Sequence, residues 1–157
     1  MEEYYTHVCI FRGDKMGATI VFESTLDLLD IKDDVNGAAK DACMDIINDV
    51  QFVTKGSAPH LTGNLERSIS KHTRRTKHTF TGEISISAYS KRGYDYGALR
   101  HDFHFNLGEG SLNKPPVVSS ITGEMFEVGS LFAKTPIEGN TNGYLEFLED
   151  KISKAMT

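Results

Sequence analysis

The chain has 157 residues, of which 39% are hydrophobic and 25% charged. That balance excludes a disordered chain and fits one globular domain with a modest core. Its formal net charge of −5 excludes a surface that binds nucleic acid all over, although it leaves room for a local basic patch.

At the start, Met1-Glu2-Glu3 is acidic, and no apolar run approaches the roughly 18 residues of a membrane span. A soluble protein made in the cytoplasm, with no membrane partner, is the expectation. Tyr5 to Phe11 reads as a strand, Ala18 to Phe22 as a second, and Gly13 to Gly17 as the turn of a hairpin between them. Because Met16 precedes the second strand, residues 1–17 read as an extension on a single domain over 18–157. Leu26, Leu28, Leu29 and Ile31 form an apolar knot before the first helix.

From Asp33 to Lys55 the period becomes helical, with Val35, Ala39, Ala42, Ile46, Val50 and Val53 recurring at three- and four-residue steps. Cys43 and Ile47 widen this stripe, which predicts core rather than a cofactor face. Asp33 and Asp34 suit the positive end of the helix dipole, and Gly56 suits its stop. Next comes an elbow, Ser57-Ala58-Pro59-His60-Leu61-Thr62-Gly63-Asn64-Leu65-Glu66-Arg67-Ser68-Ile69. Pro59 ends the helix and pushes Ala58 towards extended geometry. Thr62 is placed to cap a second, short helix, and Gly63 suits a close backbone approach. Leu65 and Ile69 share one face at i, i+4 spacing.

Lys71, Arg74, Arg75 and Lys77 put four cations within seven positions, flanked by His72 and His78. Neither parity class from 70 to 79 is apolar, which predicts the exposed tip of a hairpin rather than a half-buried strand. Alternation returns with Phe80, Gly82, Ile84, Ile86 and Ala88 on one face, which predicts a strand. Ser90 to Gly93 reads as a loop, Tyr94 to His101 as a short helical or turn segment, and Phe103-His104-Phe105 as a short strand. Residues 108–142 read as a less regular, variable insert. Inside it, Glu124 to Lys134 predicts a hairpin turning on Gly129-Ser130, with Met125, Phe126, Val128, Leu131 and Phe132 as its apolar residues. Gly143 to Met156 closes the chain as a helix with Leu145, Leu148, Ile152 and Met156 inward. The class is therefore α+β: an antiparallel sheet packed against one long helix and a C-terminal helix, with a projecting β-hairpin.

Few residues carry recognisable chemistry. His101, Asp102 and His104 are types that ligate metals, but a site needs a third or fourth ligand in fixed geometry, and hydrogen-bonding histidines are the plainer expectation. Cys43 lies on the core stripe, where an inert thiol is expected. There is no nucleophile elbow, phosphate loop, zinc-protease helix or glycine-rich dinucleotide turn. The expectation is a protein without catalytic residues, cofactor or metal. Lys71, Arg74, Arg75 and Lys77 are suited to weak, salt-dependent contact with phosphates, but no aromatic ladder accompanies them.

Four features in order resemble the tail-completion or head–tail joining proteins, often called minor capsid proteins, of long-tailed bacteriophages. Ala18-Thr19-Ile20-Val21-Phe22-Glu23-Ser24 with Leu26-Asp27-Leu28-Leu29 looks like the family's opening strand and helix start. Ala58-Pro59, then Thr62-Gly63, Leu65 and Ser68-Ile69, is similar to its most recognisable motif. Tyr94 to Asp102 is similar to its tyrosine-rich segment, with Asp102 in place of the usual glutamate. Gly143-Tyr144-Leu145-Glu146-Phe147-Leu148-Glu149 resembles its closing helix without the lysine. The resemblance covers about residues 18–107 and 143–157, while 1–17 and 108–142 depart from it.

It implies an α+β fold and a homo-oligomeric, six-membered ring around the DNA channel, joining the filled head to the tail in the virion. The implied partners are further copies of the chain, head-closure or adaptor proteins on the portal side, tail terminator or tail tube proteins, and DNA in the channel. Tail terminator and head-closure protein are the alternatives within the neck. A small nucleic-acid-binding module using the basic hairpin, and an enzyme using His101, Asp102 and His104, are the alternatives outside it. On this view the basic tip of Lys71, Arg74, Arg75 and Lys77 faces the channel and its DNA or an acidic surface on the neighbouring ring. The 108–142 hairpin docks on an adjacent subunit or on the tail tube, and deleting residues 111–139 leaves a folded core that cannot assemble.

Overall fold

The computed structural model describes residues 5–14, 17–26, 33–60, 63–76, 79–93, 96–102 and 106–157. Its longest early element is helix α1 (Asp33–Ser57). The predicted stripe of Val35, Ala39, Ala42, Ile46, Val50 and Val53 is buried throughout, as are Cys43 and Ile47. The helix runs through Gly56 rather than stopping there. A Cβ at 56 would lie 2.4 Å from that of Val117, so this glycine serves a close approach inside the helix.

Four strands form one antiparallel sheet: β1 (Tyr5–Asp14), β2 (Gly17–Leu26), β3 (Ile69–Arg75) and β4 (Phe80–Ile86), in the order β1-β2-β4-β3. β1 pairs with β2 from Tyr5 opposite Leu26 to Asp14 opposite Gly17, so part of the expected extension belongs to the sheet. β4 shows the expected alternation, with Phe80, Gly82, Ile84 and Ile86 buried. β3 and β4 are the strands that pack on α1.

Residues 70–75 correct the sequence reading, because they continue a strand from Ile69 to Arg75. The side chains from Lys71 onward are exposed, as their polarity requires, yet the backbone pairs residue by residue with β4. A border strand needs only one neighbour to fill its ladder and no apolar face of its own. The pairing extends to Thr76, whose N–H donates to the Thr79 carbonyl at 2.9 Å.

The elbow holds a short helix, α2 (Asn64–Ser68), followed by α3 (Tyr96–Asp102), α4 (Glu109–Leu112), strands β5 (Val117–Val118) and β6 (Met125–Phe126), and helix α5 (Lys134–Ala155). Two boundaries differ from the sequence reading. The hairpin of the 108–142 segment is β5 with β6, turning at Ser119–Glu124, and does not turn on Gly129-Ser130. The closing helix begins at Lys134, nine residues before Gly143 (143 − 134). Pro136 lies in its first turn, where no amide partner is lost, and the later glycines fit against Phe126 and Thr122. α5 packs along α1 and buries Ile137, Tyr144, Leu148 and Ile152.

The apolar knot residues Leu28, Leu29 and Ile31 and the strand expected at 103–105 lie outside the described residues. No helix among the described residues is long and apolar enough to cross a membrane.

Candidate functional site

The elbow motif is a junction of α1, β3 and the 108–118 segment. Ala58 is fully buried, Pro59 is buried, and Leu65 and Ile69 enter the core. Gly63 takes the N-cap position of α2 with φ 71°, a left-handed conformation that favours glycine, and no side chain caps the helix. Thr62, the expected cap, lies outside the described residues. The Ser68 hydroxyl donates to the Leu65 carbonyl at 2.6 Å, and Gln51 Nε2 donates to the Ile69 carbonyl at 3.1 Å.

Lys114 completes this junction from the far side. Its ammonium donates to the carbonyls of Lys55 at 2.9 Å and Ala58 at 2.8 Å, and to the Glu66 carboxylate. A cation thereby satisfies carbonyls at the negative end of α1. The other Glu66 oxygen lies 2.9 Å from His60 Nδ1. Burial pushes the Glu66 carboxyl up, but the hydrogen bonds and charges of Lys114 and His60 outweigh it and hold the group below its ordinary value.

A second polar centre escaped the sequence reading. Asp49 lies on α1 with only 3% of its surface exposed. Its carboxylate accepts from the Ser119 hydroxyl (2.6 Å), the Ser120 N–H (2.8 Å), the Ser120 hydroxyl (2.6 Å) and the Tyr144 hydroxyl (2.8 Å). These donors come from the β5–β6 turn and from α5, so one carboxylate fastens three elements. Burial pushes the Tyr144 phenol well up, and the neighbouring Asp49 adds to the effect, so Tyr144 remains a neutral donor. Thr122 donates to the Asn140 side chain beside this centre. The signal was present in the sequence: Asp49 stands three residues after Ile46 and four before Val53, in register with the apolar stripe. A buried carboxylate demands donors.

Beside Asp49 lies an open groove of about 460 Å³, lined by Phe52, Ile121 and Phe147 with Asp45 and Lys151 at its sides. Phe52 is 55% exposed there, and the Lys151 ammonium sits 5.1 Å from the Phe147 ring centre.

The expected basic cluster is divided. Lys71 donates to the Asn48 side chain, and Arg75 reaches the Lys40 carbonyl and the Asp41 carboxylate, each at 3.3 Å. Arg75 also lies 5.6 Å from the Phe80 ring centre. Both therefore lean over α1, while strand alternation places Arg74 on the opposite face of the sheet. Lys77 lies outside the described residues.

The predicted apolar hairpin residues are also dispersed. Phe126 packs with Val53 and Val117, whereas Phe132 belongs to the main core. Met125 is 63% exposed, and Val128 and Leu131 are half-buried.

His101 is fully buried, with Nδ1 2.7 Å from Asp102 Oδ1 and its ring edge-on to Phe132 at 5.2 Å. Its Nε2 accepts from the Lys134 N–H at 3.4 Å, and the His101 carbonyl accepts from the Leu131 N–H at 2.7 Å. The pair therefore anchors the start of α5. His104 lies outside the described residues, and among those described no group of three or more His, Cys, Asp or Glu is placed to hold a metal ion.

Comparison of the chain with protein-family models, with curated proteins and with solved structures finds no match to any of them.

Proposed function

We propose that this protein is a structural component of the neck of a long-tailed bacteriophage, one copy of a ring that joins the DNA-filled head to the tail. The observation that carries the reading is the ordered motif Ala58-Pro59, Gly63, Leu65 and Ser68-Ile69 at the handover from α1 through α2 to β3. A ring subunit must hold its sheet at a fixed angle to its long helix, because errors in that angle accumulate around a closed ring. The elbow is built for that, with Gln51 and Lys114 tying its two ends to α1. The partners of this role are further copies of the chain, a portal-side adaptor ring and a tail-side ring, with DNA in the channel. Its place is the virion.

The test is electron microscopy of a lysate from a phage carrying the gene with an early stop codon. Filled heads beside separate tails of normal length are expected. Overlong tails would make it a tail terminator, and heads that lose their DNA would make it a head-closure protein. Intact, infectious particles would remove it from the neck altogether.

A further inference from the structure

We propose that the free edge of β3 is a docking site for an extended acidic segment of a protein partner, which adds to the sheet as a further strand. The inference rests on the sheet border and does not depend on the neck reading.

β3 ends the strand order, with β4 on one side and, among the described residues, no strand on the other. The phase of its ladder is fixed at both ends. Thr76 N–H donates to the Thr79 carbonyl, and Ser87 N–H donates to the Ser68 carbonyl. The register between them runs from Ile69 opposite Ile86 to Arg75 opposite Phe80. Bonded and non-bonded pairs alternate along an antiparallel ladder. Ser70, His72 and Arg74 therefore bond to β4, while Lys71, Thr73 and Arg75 turn their N–H and C=O groups outward. All residues from Lys71 to Thr76 are exposed, so the edge is open to a strand.

Charge selects the occupant. Edge cations deter pairing with a second copy of the same edge, since Lys71, Arg74 and Arg75 would face their own kind. The same cations match carboxylates. The Arg74 side chain has no hydrogen-bond or ion-pair partner among the described residues. A glutamate or aspartate across from it on an added strand would lie on the same face, within reach. His72 shares that face one step along. Lys71 and Arg75 line the other face, each already resting on α1. This division favours a strand over DNA. A phosphate backbone would find one unengaged cation among Lys71, Arg74 and Arg75, whereas an added strand also uses the outward backbone groups.

The test uses the full chain, labelled with nitrogen-15, and a blocked heptapeptide alternating glutamate with valine. Bound peptide is expected to slow amide exchange at Lys71, Thr73 and Arg75 by about tenfold or more, with less than about twofold change at Ser70, His72 and Arg74. Thr73→Pro removes an outward N–H without touching the β4 ladder, and Arg74→Glu reverses the exposed charge; each should weaken binding about tenfold. If Thr73→Pro unfolds the protein, Arg74→Glu and the alternating exchange pattern decide the matter. Absence of binding, equal protection of both sets, or unchanged affinity in Arg74→Glu would overturn the proposal. Tighter binding of a DNA duplex without alternating protection would overturn it in favour of a phosphate-binding surface.

Discussion

The two sides of the molecule treat polar groups in opposite ways. Around Asp49, a carboxylate is taken out of water and met by four donors from Ser119, Ser120 and Tyr144. Along β3, Lys71, His72, Arg74 and Arg75 remain exposed on a border strand. The first arrangement is costly to disturb, because the Ser119 and Tyr144 hydroxyls left behind are buried without a partner. The second is cheap to alter, because water replaces whatever is removed. On the proposal of a docking edge, stability and contact with a partner fall to different regions.

The sharpest way to break this comparison is to remove residues 111–139. The sequence reading treats them as part of an insert on a finished core. In the structure they contribute Val117, Phe126, Phe132, Ala133 and Ile137 to the buried interior, and Ser119 to the Asp49 centre. Each of the four large apolar side chains among them contributes about 1.5–3 kcal/mol, so the loss is of the same size as the 5–15 kcal/mol that ordinarily holds a domain together. The deleted chain should show no cooperative unfolding by circular dichroism. A sharp melting transition in that variant would restore the insert reading.

Asp49→Ala comes next. It strands the buried hydroxyls of Ser119 and Tyr144 and frees the exposed Ser120 from both its bonds, and the expected loss is about 3–5 kcal/mol in urea unfolding. Tyr144→Phe removes one donor and leaves the carboxylate with three, so about 1–2 kcal/mol is expected. Similar costs for the two substitutions would mean that the centre does not act as a unit.

This region also marks the limit of what the sequence discloses. The stripe on α1 and the alternation of β4 were legible, since burial repeats with the period of each element. The inward face of the last helix was legible only in part. Leu148 and Ile152 are buried, but Leu145 is half-buried, Met156 at the helix end is 65% exposed, and Tyr144 takes the inward place. The start of α5 was not legible. Pro136, Gly139 and Gly143 disfavour a helix locally, and packing against Phe126 and Thr122 overrides them. Nor was β3 legible, because a border strand is held by backbone bonds to β4 and carries no apolar signature of its own. The partnership of Lys114 with Glu66 spans 48 residues of chain, a distance over which no periodicity carries information.

That partnership supplies a smaller, pH-dependent effect. The Glu66 carboxyl is held below its ordinary 4.5 in the fold, so the folded chain releases this proton more readily than the unfolded one. Its contribution to stability is therefore complete above about pH 4.5 and is lost as the pH falls through the lower, folded value. Glu66→Gln should flatten that limb of the urea midpoint plotted against pH. An unchanged profile would place the acid sensitivity in other carboxylates.

The smallest effect belongs to the sheet border. Arg74→Ala removes a cation that has no partner among the described residues and stands on the face away from α1, so stability should change by no more than about 0.5 kcal/mol. Arg75→Ala provides the internal control. It gives up contacts with Asp41 and the Lys40 carbonyl together with a place over the Phe80 ring, and about 0.5–1 kcal/mol is expected. The order of the two matters more than either value. If Arg74→Ala proves the costlier, Arg74 is engaged within the fold and cannot serve as the free charge of a docking edge. If Arg75→Ala is costlier and Arg74→Ala is neutral, Arg74 is a charge that the fold itself does not require.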